Sequence, residues 1–206
     1  MPTTIIEAFA AAGIGPERIA SASARWGSKP SVSASGAYIV SVTGSLHERK
    51  SALTAPQLAS ARFEEWLEVC PKLTLDGSRP TRRDLMGRIR RFWVPDEVIV
   101  YIGLAASLSA RLSSYYKTPI GACRPHSGGY FLKLLSNLDQ LWVHYAVCAD
   151  PADAECKMLR RFCENVSDDS KKILYDPSHP FPFGNLEWPR GVRKAHGLRR
   201  ARQARA

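Results

Sequence analysis

The chain has 206 residues, of which 45% are hydrophobic and 23% charged. Those proportions are ordinary for a soluble globular protein and exclude a wholly disordered chain, a collagen-like chain and a small disulfide scaffold. Lys and Arg outnumber Asp and Glu by 29 to 19, a formal charge of +10, so a polyanionic partner is expected, nucleic acid or an anionic surface. The excess is uneven. From Trp188 to Ala206 there are seven basic residues, Arg190, Arg193, Lys194, Arg199, Arg200, Arg202 and Arg205, and no acid, which leaves about +3 for the rest.

The longest apolar stretch, Val98 to Ala106, is far short of the roughly 20 residues of a membrane helix, so no membrane partner is expected. Met1 to Gly15 lacks a basic leader and contains Glu7, which argues against a secretory signal. The five cysteines (Cys70, Cys123, Cys148, Cys156, Cys163) are odd in number and form no C-x-x-C pair. That argues against a zinc cage and a disulfide framework, and for reduced thiols in a cytoplasmic protein.

In chain order, the first 15 residues read as a short helix with Ile5, Ile6 and Phe9 on one side and a Gly13/Gly15 stop. Residues 21–35 read as a loop. Gly36 to Thr43 is a strand by composition, with Tyr38, Val40 and Val42 on one face. A helical insert follows, at about 44–97. Thr54 to Gln57 resembles a capping box opening a helix marked by Ala59, Phe63, Trp66 and Cys70. After an Asp76-Gly77 turn, Thr81 can cap a second helix with Leu85, Ile89 and Phe92 facing inward and Arg82, Arg83, Arg88, Arg90 and Arg91 elsewhere. Val98 to Gly103 is a second strand, and Ser107 can cap the helix after it. A Gly/Pro-rich loop runs from Thr118 to Gly129. Tyr130 to Leu138 reads as a short helix, Gln140 to Val147 as a third strand, and Asp150-Pro151 opens a helix ending near Val166. From Ser167 onward the chain reads as loop. The sum is a mixed α/β (α+β) fold: a small three-stranded sheet flanked by helices, with the helical insert and a basic tail at 188–206.

Two charges sit against the apolar pattern. Glu155 lies in the first turn of its helix, three, four and seven residues before Met158, Leu159 and Phe162. It therefore projects from the edge of a buried stripe, where a carboxylate is costly unless paired, wet or bound to a cation. A helix-start acid favoured by the dipole is the plainer alternative. Arg111 shares a helical face with Tyr115, and on pattern alone it reads as a solvated helix charge. Tyr38 and Tyr101, taken singly, read as strand packing residues.

Together these residues resemble a family. Gly36-Ala37-Tyr38, then Tyr101-Ile102-Gly103, then Arg111 eight residues on and Tyr115 four after that, is similar to the GIY-YIG nucleases. Glu155, on a helix after the third strand, matches the family's metal-binding acid, and Asn185 in Phe183-Gly184-Asn185 its late Asn. The likeness covers about residues 36–186. Two features depart from it: the first motif reads GAY, and the insert between the motifs is long, which leaves the pairing of the first two strands open. The resemblance implies an endonuclease that hydrolyses DNA with Mg²⁺ or Mn²⁺ on Glu155 and Arg111 on the phosphate. It also implies Tyr38 as base, Tyr101 and Tyr115 bonding water or phosphate, and Asn185 positioning the metal-site waters or their loop. Arg124 and His126 in the Gly-rich loop, Arg82, Arg83 and Arg90 on the insert, and Arg193 and Lys194 in the tail are candidates for DNA contact. A catalytically silent nucleic-acid-binding protein and a basic RNA- or ribosome-associated protein are the alternatives.

Overall fold

Residues 1–19, 23–28, 30–122 and 129–199 are described by the structure, a computed structural model. The first helix, α1 (Ile5–Ala11), starts where Thr4 and Glu7 cap each other reciprocally. The strands β1 (Ala24–Arg25) and β2 (Gly36–Ser41) precede the insert, which supplies α2 (Ser60–Val69), β3 (Thr74–Leu75) and α3 (Arg82–Arg90). Then come β4 (Ile99–Ala105), α4 (Leu108–Lys117), β5 (Trp142–Val147), α5 (Pro151–Asn165), α6 (Asp168–Ile173) and β6 (Leu198–Arg199). Among the described residues no helix is long and apolar enough to cross a membrane.

The main sheet is antiparallel with order β1-β5-β2-β4, and β3 pairs with β6 in a second, two-stranded sheet. The fold is thus mixed α+β as expected, but the sheet has four strands rather than three. The extra strand is two residues long, Ala24 opposite Val143 and Arg25 opposite Trp142, too short to leave a periodic signal. The Arg25 guanidinium stacks 4.1 Å from the Trp142 ring and helps hold that edge.

Other differences have equally local causes. The Thr54–Gln57 box does not cap α2, which begins at Ser60 behind Ala59 with no side-chain cap. The backbone there is used in tertiary pairing instead: Ala59 N–H donates to Leu134 O (2.9 Å) and Ser136 N–H to Gln57 O (2.8 Å). The predicted Tyr130–Leu138 helix is two separate 3₁₀ turns, Tyr130–Leu134 and Leu138–Gln140. After Ser167 the chain is not all loop, because Ser167 accepts a hydrogen bond from Ser170 N–H and caps α6. By contrast, Thr81 caps α3 as expected, in a reciprocal box with Asp84, and Asp150 caps α5.

β2 is central, and all six of its residues are buried. On one face Tyr38, Val40, Tyr101, Val143 and Tyr145 join a core with Phe63, Trp66, Leu85, Ile89 and Phe92 of the insert. On the other, Ala37, Ile39, Ile102 and Ala146 pack with Ile5 and Phe9 of α1 and Met158, Leu159 and Phe162 of α5. Each large side chain so buried stabilises by about 1.5–3 kcal/mol relative to exposure. The insert therefore belongs to the core, and β2 and β4 pair directly despite it.

That pairing puts Tyr38 opposite Gly103. A Cβ on Gly103 would lie 2.7 Å from Tyr38 Cζ, 2.8 Å from Tyr38 Oη and 2.7 Å from Tyr101 Cε1, so the glycine is what lets the two phenols pack. Gly103→Ala is expected to lower stability by about 1–3 kcal/mol through overpacking. Urea denaturation reads this directly, and an unchanged midpoint would contradict the contact. Adding Tyr38→Phe should recover only part, because Cζ remains in the way.

Candidate active site

Four elements and one loop deliver the candidate residues to one place. β2 fixes Tyr38, which is 0% exposed. Its hydroxyl is buried with no well-aligned hydrogen-bond partner. β4 carries Tyr101, whose ring centroid is 5.8 Å from that of Tyr38 and 5.6 Å from that of Tyr115. α4, capped by Ser107, presents Arg111 one turn before Tyr115. α5 supplies Glu155, and the loop after α6 supplies Asn185. A cavity of about 380 Å³ opens here, lined among others by Tyr101, Glu155, Asn185, Glu187, Arg193 and His196.

Arg111 is the electrostatic centre. It has no ion-pair partner among the described residues, and its Nε is buried without an acceptor. Its positive charge favours the ionised forms of Tyr38, Tyr101, Tyr115 and Glu155 alike. In all four, burial acts the other way and dominates. The three phenols are held above their usual range. Tyr38 therefore keeps its proton at neutral pH, which counts against its expected service as a base.

Glu155 is the fifth residue of α5, in its second turn rather than its first. It is thus beyond the free N–H groups that would explain a helix-start acid. Burial pushes its carboxyl up to about 7, and Arg111 opposes that. No ion pair neutralises it among the described residues. Nor do these residues hold a group of three or more His, Cys, Asp or Glu side chains able to bind a metal ion. Glu155 could hold a cation only as its sole or near-sole side-chain ligand, an arrangement that fits a hard, well-hydrated ion such as Mg²⁺.

Two expected site residues are hydrogen-bonded to the backbone. Asn185 Nδ2 donates to Ile102 O (2.8 Å), and its Oδ1 accepts from Ile102 N–H (2.9 Å). With Gly184 N–H donating to Val100 O (2.8 Å), it clamps the loop to the open edge of β4. One Nδ2 hydrogen and one Oδ1 lone pair are engaged there, which holds the loop. The Tyr115 hydroxyl donates to Gly129 O (2.7 Å). Gly129 sits at φ 65°, and a Cβ there would lie 2.0 Å from Tyr115 Oη, so Tyr115 braces the turn that walls the cavity.

The basic candidates divide. Arg83 and Arg90 are exposed, and Arg82 is ion-paired with Glu64. Arg193 lines the cavity and pairs with Glu187 at 2.8 Å. Lys194 is corrected outright: it is 3% exposed, and its Nζ donates to Pro182 O at 2.8 Å. The tail there folds back to pair β6 with β3, turning Lys194 inward where composition alone showed only a charge run. Arg124 and His126 lie outside the described residues. Sequence reasoning missed Glu187 and His196 as cavity residues. His196 Nδ1 accepts from Leu198 N–H (3.0 Å), and burial, helped by Lys194, Arg193 and Arg88, lowers it to about 4. The ring is neutral near pH 7. The acid next to the Asn185 loop was a usable signal for Glu187; nothing local marked His196.

Comparison with known proteins brings no match: no family model, no curated protein and no solved structure matches the chain.

Lys194 gives a pH test of this packing. Burial lowers it from 10.5 to about 7. Between those values the unfolded chain holds the proton and the folded chain does not, so stability rises with pH across the window; below about 7 both states are charged and the slope vanishes. Lys194→Met removes the group. The stability of the wild type relative to Lys194→Met should therefore climb from pH 7 to 10 by at most about 1.4 kcal/mol per pH unit. A pH-independent difference in thermal unfolding would place Lys194 in water.

Proposed function

We propose that this chain is a divalent-metal-dependent endonuclease that hydrolyses DNA phosphodiester bonds. The observation that carries the reading is Arg111: one unpaired guanidinium whose field reaches two strand tyrosines, a third on its own helix and a half-buried carboxylate. Those residue types, in that chain order, are the ones the tyrosine motifs led us to expect. An anion between Arg111 and the cavity would supply the guanidinium's missing partner, with paired donors that a Lys cannot reproduce. A cation on Glu155 would supply the carboxylate's, and when bound it would act as a Lewis acid on a phosphate oxygen.

The chain's own residues then have distinct tasks. Arg111 binds the non-bridging oxygens and stabilises the charge that grows on them. Tyr101, at the cavity wall, donates to the attacking water or the phosphate. Tyr38, protonated and behind it, orients that donor instead of taking a proton. Asn185 and Tyr115 hold the two loops that shape the opening. The complete burial of Tyr38 favours one rival, a silent nucleic-acid-binding protein on the same fold, and cleavage decides between them.

Supercoiled plasmid with Mg²⁺ or Mn²⁺ should be nicked by the wild type, while Arg111→Lys and Glu155→Gln each lose on the order of 10²–10³ in rate. At limiting metal, wild-type activity should fall about tenfold per pH unit below about 7, as protonated Glu155 ceases to bind a cation. Above that it should level off. Equal nicking by the variants would overturn the assignment, and binding without nicking would establish the silent reading.

A further inference from the structure

A second cleft, of about 520 Å³, lies in the insert between α3 and the turn after β3. Its wall includes four guanidiniums, Arg79, Arg83, Arg88 and Arg91, against two carboxylates, Asp76 and Asp84. Both acids are already engaged. Asp76 Oδ2 accepts from Arg88 Nη2 at 2.5 Å. Asp84 Oδ2 accepts from the Thr81 N–H (3.0 Å) and hydroxyl (2.7 Å). Arg79 donates to Cys70 O (2.7 Å) and Leu67 O (2.6 Å), closing the end of α2. Arg83 and Arg91 remain, exposed and without an ion-pair partner among the described residues. Arg91 is held in place by the Tyr175 ring, 4.9 Å from its guanidinium carbon, with Arg88 on the same ring at 3.9 Å.

Between these two free cations stands a residue that helix formation does not explain. Arg83 and Gly87 on α3 and Arg91 at its C-cap are spaced by four, along one side of the helix. Glycine is a poor choice inside a helix. No neighbour requires it here, since a Cβ at 87 would meet nothing within 4 Å. Gly87 has no positive φ to account for it either. What it does is leave the floor of the cleft bare between two guanidiniums, where an anion can approach the helix backbone. The cleft also adjoins the candidate active site: Arg88 donates to His196 O (3.0 Å), and His196 and Leu198 line the 380 Å³ cavity. Arg88, in the wall of the cleft, is thus the link to a residue in the wall of the cavity.

We infer that the Arg83–Gly87–Arg91 notch is a phosphate-binding site for the backbone of a nucleic-acid duplex, anchoring the strand beyond the site of cleavage. This rests on the nucleic-acid reading above but not on cleavage itself. The chemistry shared with free phosphate or a mononucleotide is the dianion or diester between two guanidiniums; the position of the notch beside the cavity favours the polymer.

The test is binding of a fluorescent DNA duplex to the full chain by anisotropy, in EDTA, across a salt series. Arg83→Gln/Arg91→Gln should weaken binding at least tenfold and flatten the dependence of log K on log salt by about 1.8, two phosphate contacts' worth. Gly87→Ala should weaken binding severalfold while raising the melting temperature, which separates a filled notch from a misfolded one. Lys72→Gln removes one exposed positive charge from the insert outside the cleft and should change little. Inorganic phosphate and a mononucleotide serve as competitors and should displace the duplex only at millimolar concentration. The inference fails if Gly87→Ala binds as the wild type does, if Lys72→Gln weakens binding as much as Arg83→Gln or Arg91→Gln alone, or if a mononucleotide binds the notch as tightly as the duplex. A chain that binds through the notch yet cuts nothing sinks the nuclease and keeps the notch. One that cuts but keeps full affinity without Arg83 and Arg91 does the reverse.

Discussion

The contact between the Tyr38 ring and the bare α-carbon of Gly103 governs the arrangement of the whole site. Antiparallel pairing of β2 with β4 fixes which residues face each other. Because side chains alternate along a strand, a slip of one residue would send Tyr38 and Tyr101 to opposite faces. With the register set, Tyr101 lies between Tyr38 and Tyr115, and the Tyr115 hydroxyl holds the Gly129 turn. Glycines at 103, 129 and 184 each bring backbone against one of these phenols where a methyl group would collide or crowd. The aromatic packing and the cavity it borders are one construction.

Inside that construction two charges lack their complements. A buried polar group without a partner ordinarily costs on the order of 1–3 kcal/mol. Arg111 Nε stands in that position, Tyr38 Oη has no well-aligned partner, and burial raises the Glu155 carboxyl to about 7. Elsewhere the chain shows it can satisfy such groups: Asn185 matches Ile102 on both sides, and Arg49 lies 2.6 Å from Glu7. Of these groups Glu155 lines the open cavity, while Arg111 acts on it through its charge; an anion on Arg111 and a cation on Glu155 would complete both, and perturbed groups of this kind are often found where chemistry is done.

Much of the fold could be read from the sequence because it is written in short-range rules. The Thr81 cap, the Ser107 cap, the Asp150-Pro151 start and the three long strands are all local signals, and all stand close to where the pattern put them. The failures are tertiary. Ala24–Arg25 is a strand only because β5 offers it an edge, and the Thr54–Gln57 cap yields to backbone pairing with residues 134 and 136. For the site, residue types were legible but engagement was not. No pattern says that Asn185 will bond to Ile102, that the Tyr115 hydroxyl will donate to Gly129, or that Lys194 will turn inward from a basic run. Those depend on which loop folds against which edge.

The most direct measurement is the position of Mn²⁺, by anomalous scattering, in crystals of the full chain with a short DNA duplex. Convergence of Glu155 and Arg111 on one phosphate predicts a manganese peak coordinated by the Glu155 carboxylate, with a phosphate of the duplex between it and Arg111. Manganese bound elsewhere, or a duplex whose phosphates pass Arg111 by while Glu155 stays unliganded, would contradict it.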